Sequence, residues 1–434
     1  MLNSILKLLI VMAPLAILLF FPSWLKKPFI SIVMKIFLAV IVGLMFLKVG
    51  KYVYQNYNQP PMWDFLVFWL DGKVAATGEN FYEAKNYQKI SLPYEPGTAF
   101  KEEIIDVGFK YPPFAMFLFF PLGLFDISPA YLMWQALNLL LCSVCIYMLW
   151  DFSLKSYGTM GLLLVAMLLL RLTPTWSTFY LAQTNFLALL FFLLFWRNRS
   201  KTWGGVWLAF CLIVKPYFAL LYIYPLLVRK WKMLAVAVST FMVFTFLSAL
   251  LFGTDVFVSF IDNHASNIPG YLYVEWVNQS LLATILRSPV EVNQSLLAMI
   301  PRSPLNQATG ELLFLNPLYL GISLCLVFIT GLVIIRYGDN KNGWTILSVL
   351  FLALLVYPAT LAHYSIFLVV PVVLLMRQSI KNVTGQLTVF FIIFIAYFLS
   401  SEYAFYANLF MWFVCIIYVS KARFIEKVGL TLEA

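Results

Sequence analysis

Residues 312–335 read LLFLNPLYLGISLCLVFITGLVII, an unbroken stretch without a charged side chain. At 1.5 Å of rise per residue such a run, built as a helix, crosses the roughly 30 Å hydrocarbon core of a bilayer. Residues 233–254 and 382–401 are likewise uncharged and of similar length. The whole chain shares this character. Its 434 residues are 62% hydrophobic, 18% aromatic and 11% charged, with a mean hydropathy of +0.88. Soluble domains carry about 25% charged residues, so a soluble enzyme, a disordered regulator and a disulfide scaffold are all excluded. The expectation is an all-α polytopic membrane protein, one integral membrane domain over residues 1–434 with about eleven to thirteen transmembrane helices. Membrane lipids are then its surroundings. The net charge of +10 marks the cytoplasmic side of a membrane rather than a nucleic-acid partner.

The placement of charge gives the topology. Six short linkers, 25–28, 197–201, 229–232, 336–341, 377–381 and 421–427, hold 15 of the 29 Lys and Arg and only two acids. Two long polar segments, 55–110 and 253–311, hold 13 of the 19 Asp and Glu against seven basic residues. The positive-inside rule places the linkers in the cytoplasm and the two long segments outside. A retained N-terminal helix is expected at 5–24, because Lys26-Lys27 and a further apolar run follow it without a small-residue cleavage site. Further helices are expected near 30–54, 130–150, 158–174, 183–196, 233–252, 315–336, 343–357, 364–376, 386–400 and 404–420.

Three segments depart from simple spans. Between 202 and 228 two short apolar runs flank Lys215, which suggests a hairpin of short helices with Lys215-Pro216 at its tip. YPPFAMFLFFPLGLF (111–125) reads as a short interfacial or re-entrant helix broken by Pro121. WDFLVFWLDGKVAATG (63–78) reads as an amphipathic helix at the membrane interface, ended by Gly78. Cys142, Cys145, Cys211, Cys325 and Cys415 all lie in apolar segments and read as inert buried thiols. VNQSLLATILRSP (277–289) recurs as VNQSLLAMIPRSP (292–304), with 11 of 13 positions identical, as a tandem duplication of loop would leave it.

The candidate site comes from polar residues that converge on the outer face. Asp64 lies between Trp63 and Phe65, an apolar setting that raises a carboxyl pKa and suits general-base work; its plain alternative is a helix N-cap. Lys215 is an isolated ammonium in an uncharged stretch and needs an anion such as a lipid phosphate; its alternative is snorkelling. His363 and Tyr364 begin a helix, Gln183 and Asn185 open another, and Arg171 ends a third. Asn278, Gln279 and Ser280 lie in the second outer loop, and the preceding Glu275-Trp276 favours this copy of the duplicated motif over Asn293. No phosphate-cradling glycine loop, no cofactor motif and no metal-ligating cluster is visible. An activated sugar, if one is used, has to come from the membrane.

These residues resemble a known family. W-D-F (63–65), G-E-N-F-Y-E (78–83), Y-P-P-F…P-L (111–122), A-Q-T-N (182–185), V-K-P (214–216), N-Q-S-L (278–281 or 293–296) and H-Y (363–364) together look like glycosyltransferase family 87. Ala182 stands where that family usually has glycine. The resemblance implies the C-type glycosyltransferase fold and a polyprenol-phosphate-mannose-dependent mannosyltransferase. It implies a catalytic Asp64, with Lys215, His363 and N-Q-S around the phosphate and sugar of a polyprenyl-phosphate donor. The acceptor would be a glycolipid or glycan on the extracytoplasmic face of the cell membrane. The alternative is a transporter or flippase of lipid-linked glycan precursors, which would favour ionisable groups at the bilayer midplane and inverted repeats; neither is seen. The topology is testable with Lys89→Cys and Asn306→Cys. Both are expected to react with an impermeant maleimide in intact spheroplasts, and protection of both until lysis would reverse the orientation.

Overall fold

The computed structural model describes residues 2–21, 23–24, 27–58, 60, 64–91, 111–265, 280–286, 316–338, 343–358, 360–377, 383–400 and 403–427. These residues are helical, with no strand among them. The first half contains α1 (Leu2–Phe20), α2 (Pro28–Gln55), α3 (Asp64–Ala76), α4 (Met116–Gly123), α5 (Ile127–Ser153) and α6 (Gly158–Arg171). Next come α7 (Thr173–Leu181), α8 (Asn185–Arg197), α9 (Gly204–Val214), α10 (Ile223–Leu227) and α11 (Trp231–Phe252). The C-terminal part contains α12 (Pro317–Tyr337), α13 (Gly343–Val356), α14 (Val369–Arg377), α15 (Val383–Ser400) and α16 (Ala404–Lys427). Two 3-10 helices, Pro216–Tyr222 and Ala362–Leu368, precede α10 and α14.

Helices α2, α5, α11 and α12 are each long and apolar enough to cross a membrane, and α6 with α7 would make a fifth span bent by 66°. The outward residues of these helices include Leu44 and Leu47, Met242 and Phe246, and Leu324 and Phe328, apolar side chains of the kind that face lipid. The other apolar helices run 10–17 residues. Against the expected eleven to thirteen passes, four described helices, or five with the bent pair, meet the length of a span. At the centre lies α13, whose residues from Trp344 to Val356 are all buried. A helix apolar on every side has to be enclosed, and α16 and the 216–222 segment pack against it. Cys142, Cys145, Cys211 and Cys415 are buried as expected, whereas Cys325 is exposed on the apolar surface of α12.

One expectation is corrected. Helix α3 is not an amphipathic helix lying at an interface. Phe65, Leu66, Phe68, Trp69, Leu70, Asp71, Val74 and Ala75 are all buried, so both of its faces are covered. The cause is a backbone-to-backbone crossing with α4. A Cβ on Gly72 would lie 2.2 Å from the Phe119 carbonyl oxygen, and one on Gly123 would lie 2.0 Å from the Gly72 carbonyl carbon. Paired small residues let apolar helices approach this closely. Asp71 can be buried because it accepts a hydrogen bond from the Tyr87 hydroxyl. Gly78 ends the segment with φ +75, a conformation that glycine adopts at little cost. Pro121 sits inside α4 rather than breaking it, and the turn before that helix is the 3-10 segment Pro113–Ala115.

The crossing gives a stability test. Gly72→Ala forces the two backbones apart and is expected to cost about 1–3 kcal/mol, read as a lower Tm of the solubilised protein. Gly43→Ala, where a Cβ meets nothing within 4 Å, is expected to be neutral or slightly stabilising.

Candidate functional site

Lys215 is placed by a broken helix. Helix α9 ends at Val214, because Pro216 disfavours helical backbone at the residue before it. Lys215 accordingly sits at φ −145, ψ 122, in extended conformation between α9 and the 216–222 segment. The break turns the side chain inward, and the residue is 0% exposed. Its Nζ donates to the Tyr111 hydroxyl at 2.6 Å and to Gln183 Oε1 at 3.0 Å. It also lies 4.5 Å from the centre of the Tyr364 ring and 5.0 Å from that of Tyr111, both within cation–π range. Among the described residues it makes no ion pair. A buried ammonium held by neutral oxygens and ring faces retains its capacity to attract an anion.

Gln183 connects this cation to Asp64. Helix α7 ends at Ala182 in the left-handed region, φ 52, ψ 45, and the turn is held by Trp134 Nε1 donating to the Ala182 carbonyl at 2.6 Å. Left-handed backbone at a non-glycine residue costs about 1–2 kcal/mol, which is the physical reason a glycine suits this position. The turn directs Gln183 inward, 2% exposed. Its Oε1 accepts from Lys215, and its side chain lies near enough to Asp64, at the start of α3, to act on that carboxyl. An amide is suited to both neighbours, accepting from an ammonium at one end and donating to a carboxylate at the other. Asp64 is partly exposed. Burial pushes its carboxyl above the ordinary value, opposed by the Gln183 hydrogen bond and by the charge of Lys215.

His363 and Tyr364 start the 3-10 helix 362–368, which packs on α7. His363 is 4% exposed, within electrostatic reach of Lys215, and its Nε2 has no hydrogen-bond partner among the described residues. Asn185 positions this segment by donating to the His363 carbonyl at 3.3 Å and to Thr178 Oγ1 at 3.0 Å. Ser280 bonds elsewhere. Its hydroxyl donates to the Pro358 carbonyl at 2.7 Å and accepts from the Ala283 backbone at 3.1 Å, tying the second long segment to the chain that leads into His363. Asn278, Gln279 and the second N-Q-S copy lie outside the described residues. Arg171 ends α6, at the opposite end of the nine-residue α7 from Gln183, about 13 Å away by helical rise. No hydrogen bond or ion pair joins it to the cluster among the described residues.

The sequence reading gave no role to three tyrosines. Tyr111 touches both Lys215 and Gln183. Tyr217 stacks within 5.1 Å of Tyr364 and 6.1 Å of Tyr357. A signal was available for Tyr111, a phenol immediately before two prolines. An ordinary membrane-interface tyrosine accounts for the same letters.

The arrangement pairs a raised carboxyl with a buried cation, separated by a single amide. A family model for glycosyltransferase family 87 matches residues 109–358. The chain belongs to glycosyltransferase family 87. That match holds Tyr111, Gln183 and Lys215, and ends at Pro358, just before His363. Two curated proteins from Mycobacterium tuberculosis, of strains CDC 1551 / Oshkosh and ATCC 25618 / H37Rv, are each 28% identical to it over 145 residues. Both are described as alpha-(1->3)-arabinofuranosyltransferase. The matched stretch is 31% of this chain and spans about a third, 33%, of each relative. No solved structure matches the chain.

The titration of Asp64 is the most direct electrostatic readout of this arrangement. The carboxyl band lost in Asp64→Asn, followed by infrared spectroscopy, is expected to titrate with a midpoint above 3.8, the ordinary aspartate value. Gln183→Leu removes the amide donor to the carboxylate and is expected to raise that midpoint further. A midpoint at or below 3.8 would contradict the burial argument.

Proposed function

We propose that this chain is an inverting glycosyltransferase that moves a sugar from a polyprenyl-phosphate donor to a hydroxyl of a glycolipid or glycan acceptor, at the extracytoplasmic face of the cell membrane. The observation that carries the reading is the proximity of Asp64 and Lys215, whose charges act on each other beside Gln183. One supplies a base of raised pKa, the other a buried charge for a phosphate. Asp64 takes the proton of the acceptor hydroxyl. The oxygen then attacks the anomeric carbon from the side opposite the lipid phosphate, whose bond to the sugar breaks. The leaving group departs with the electron pair, so the phosphate changes from a singly charged diester to a doubly charged monoester. The ammonium of Lys215 gains attraction as that charge develops, which is the condition for lowering a barrier. His363, close to Lys215, is a further phosphate contact in this scheme, and Tyr364 provides a ring beside the ammonium.

Two sugars are supported by different observations. The ordered motifs from W-D-F to H-Y favour mannose. The activity of the mycobacterial relatives favours an arabinofuranose. Incubation of purified protein with a cell lipid extract and labelled polyprenyl-phosphate mannose, in parallel with polyprenyl-phosphate arabinofuranose, separates them. A labelled glycolipid is expected from one donor, and product from neither would sink the proposal.

The two charged groups have separable signatures with the donor that turns over. Asp64→Asn retains shape but cannot take a proton, and is expected to cut turnover by about 10²–10⁴-fold while leaving donor affinity within a few-fold of wild type. Lys215→Ala is expected to weaken donor binding and turnover together, because the phosphate is charged before and during the reaction. Near-normal turnover by Asp64→Asn would remove it as the base.

A further inference from the structure

Tyr111 is held more firmly than a surface phenol needs to be. Its ring is clamped edge-on by Phe68 of α3 and Phe119 of α4, with centroids 5.6 Å away in each case. Its carbonyl accepts from the Tyr82 hydroxyl at 2.6 Å. Those contacts point the phenol at the junction of the site. There it accepts from Lys215 at 2.6 Å and reaches Gln183 Oε1 at 3.4 Å, with Asp64 near enough to act on it electrostatically.

The chemistry of a phenol matters at this place. A carboxylate in the same position would cancel the charge of Lys215 and repel a phosphate. A phenylalanine would leave the ammonium with one oxygen fewer. A neutral hydroxyl can accept from the ammonium with its lone pair and give its own proton to another oxygen. It therefore solvates the cation without neutralising it, and turns a one-donor anchor into a two-donor one. The 3.4 Å separation from Gln183 is long for an O–H···O bond, so exchanging that contact for a phosphate oxygen forfeits little.

We propose that Tyr111 is a second anchor of the donor phosphate, accepting from Lys215 and donating its hydroxyl proton to a phosphate oxygen. The inference rests on the reading above that Lys215 receives the lipid phosphate. It assigns a binding role to a residue that the motif pattern alone left without one. It also gives a reason for the tight packing of α3 on α4, which fixes the two rings that clamp the phenol. Because the phosphate gains charge as the sugar leaves, the same hydrogen bond strengthens during the reaction.

The test uses the full chain in lipid nanodiscs with geranyl phosphate as probe and uncharged geraniol as reference. Wild-type protein is expected to bind geranyl phosphate more tightly than geraniol. Tyr111→Phe keeps the ring, and hence the packing against Phe68 and Phe119, but lacks the hydroxyl. It is expected to bind the phosphate about ten-fold more weakly, the loss of one hydrogen bond to a charged group, with geraniol binding unchanged. Lys215→Ala is expected to lose the preference for the phosphate altogether, and Tyr147→Phe, on the exposed side of α5, to behave as wild type. A second readout is the 31P resonance of bound geranyl phosphate, which is expected to move between wild type and Tyr111→Phe. If Lys215→Ala loses the preference while Tyr111→Phe retains wild-type affinity and an unmoved resonance, the role of Tyr111 is overturned and the phosphate reading stands. If Lys215→Ala binds as wild type, or geraniol binds as well as its phosphate, the phosphate reading itself is overturned.

Discussion

The ammonium of Lys215, wholly buried at the end of a helix with no carboxylate paired to it among the described residues, sets the terms for everything around it. Removing such a group from water costs on the order of several kcal/mol even after relaxation. The protein offsets part of that cost with the Tyr111 hydroxyl and Gln183 Oε1, at 2.6 and 3.0 Å, and with two aromatic faces. Each of these partners is neutral. A direct ion pair with Asp64 would stabilise both groups, and would also weaken the basicity of one and the anion affinity of the other. Lys215 donates instead to the amide of Gln183, and Asp64 stays close enough for its carboxyl to feel both groups.

Holding that arrangement requires irregular backbone inside an apolar helical body. Extended Lys215 before Pro216, left-handed Ala182 after α7 and the 3-10 turn that begins at Ala362 all fall within the site. In a low-dielectric interior such breaks are tolerated only where neighbouring groups satisfy the freed polar atoms. Here Trp134 takes the Ala182 carbonyl and Asn185 takes that of His363. Left-handed backbone at a non-glycine residue occurs at Ala182 in the site and also at Arg229 outside it.

Much of the candidate site could be read from the letters, for one reason. A polar residue in a long apolar run is expensive, and Lys215, Gln183, Asn185 and Asp64 are conspicuous on that ground alone. V-K-P also carries its own backbone instruction, since proline acts on the residue before it. Arg171 satisfies the same criterion of polarity within an apolar stretch, yet a nine-residue helix separates it from Gln183. Ser280 was equally visible, and its hydroxyl is engaged with Pro358 and Ala283 instead. Polarity in an apolar run marks a residue as a candidate, and leaves open what it meets in the fold.

The sequence by itself determined that this is an integral membrane protein of many helices, because apolar run length and charge content are local quantities that the bilayer reads directly. It also determined the helix break at Lys215, since Pro216 acts on the residue before it. Tertiary structure alone decided that α3 is enclosed rather than interfacial. The cause is the meeting of Gly72 with Gly123, 51 positions apart in the chain, which no local pattern encodes. It likewise decided that Tyr111, Gln183 and Lys215 share one set of hydrogen bonds with Asp64 beside them. Four separate segments supply those side chains, and their convergence depends on how helices pack in three dimensions rather than on the spacing of residues along the chain.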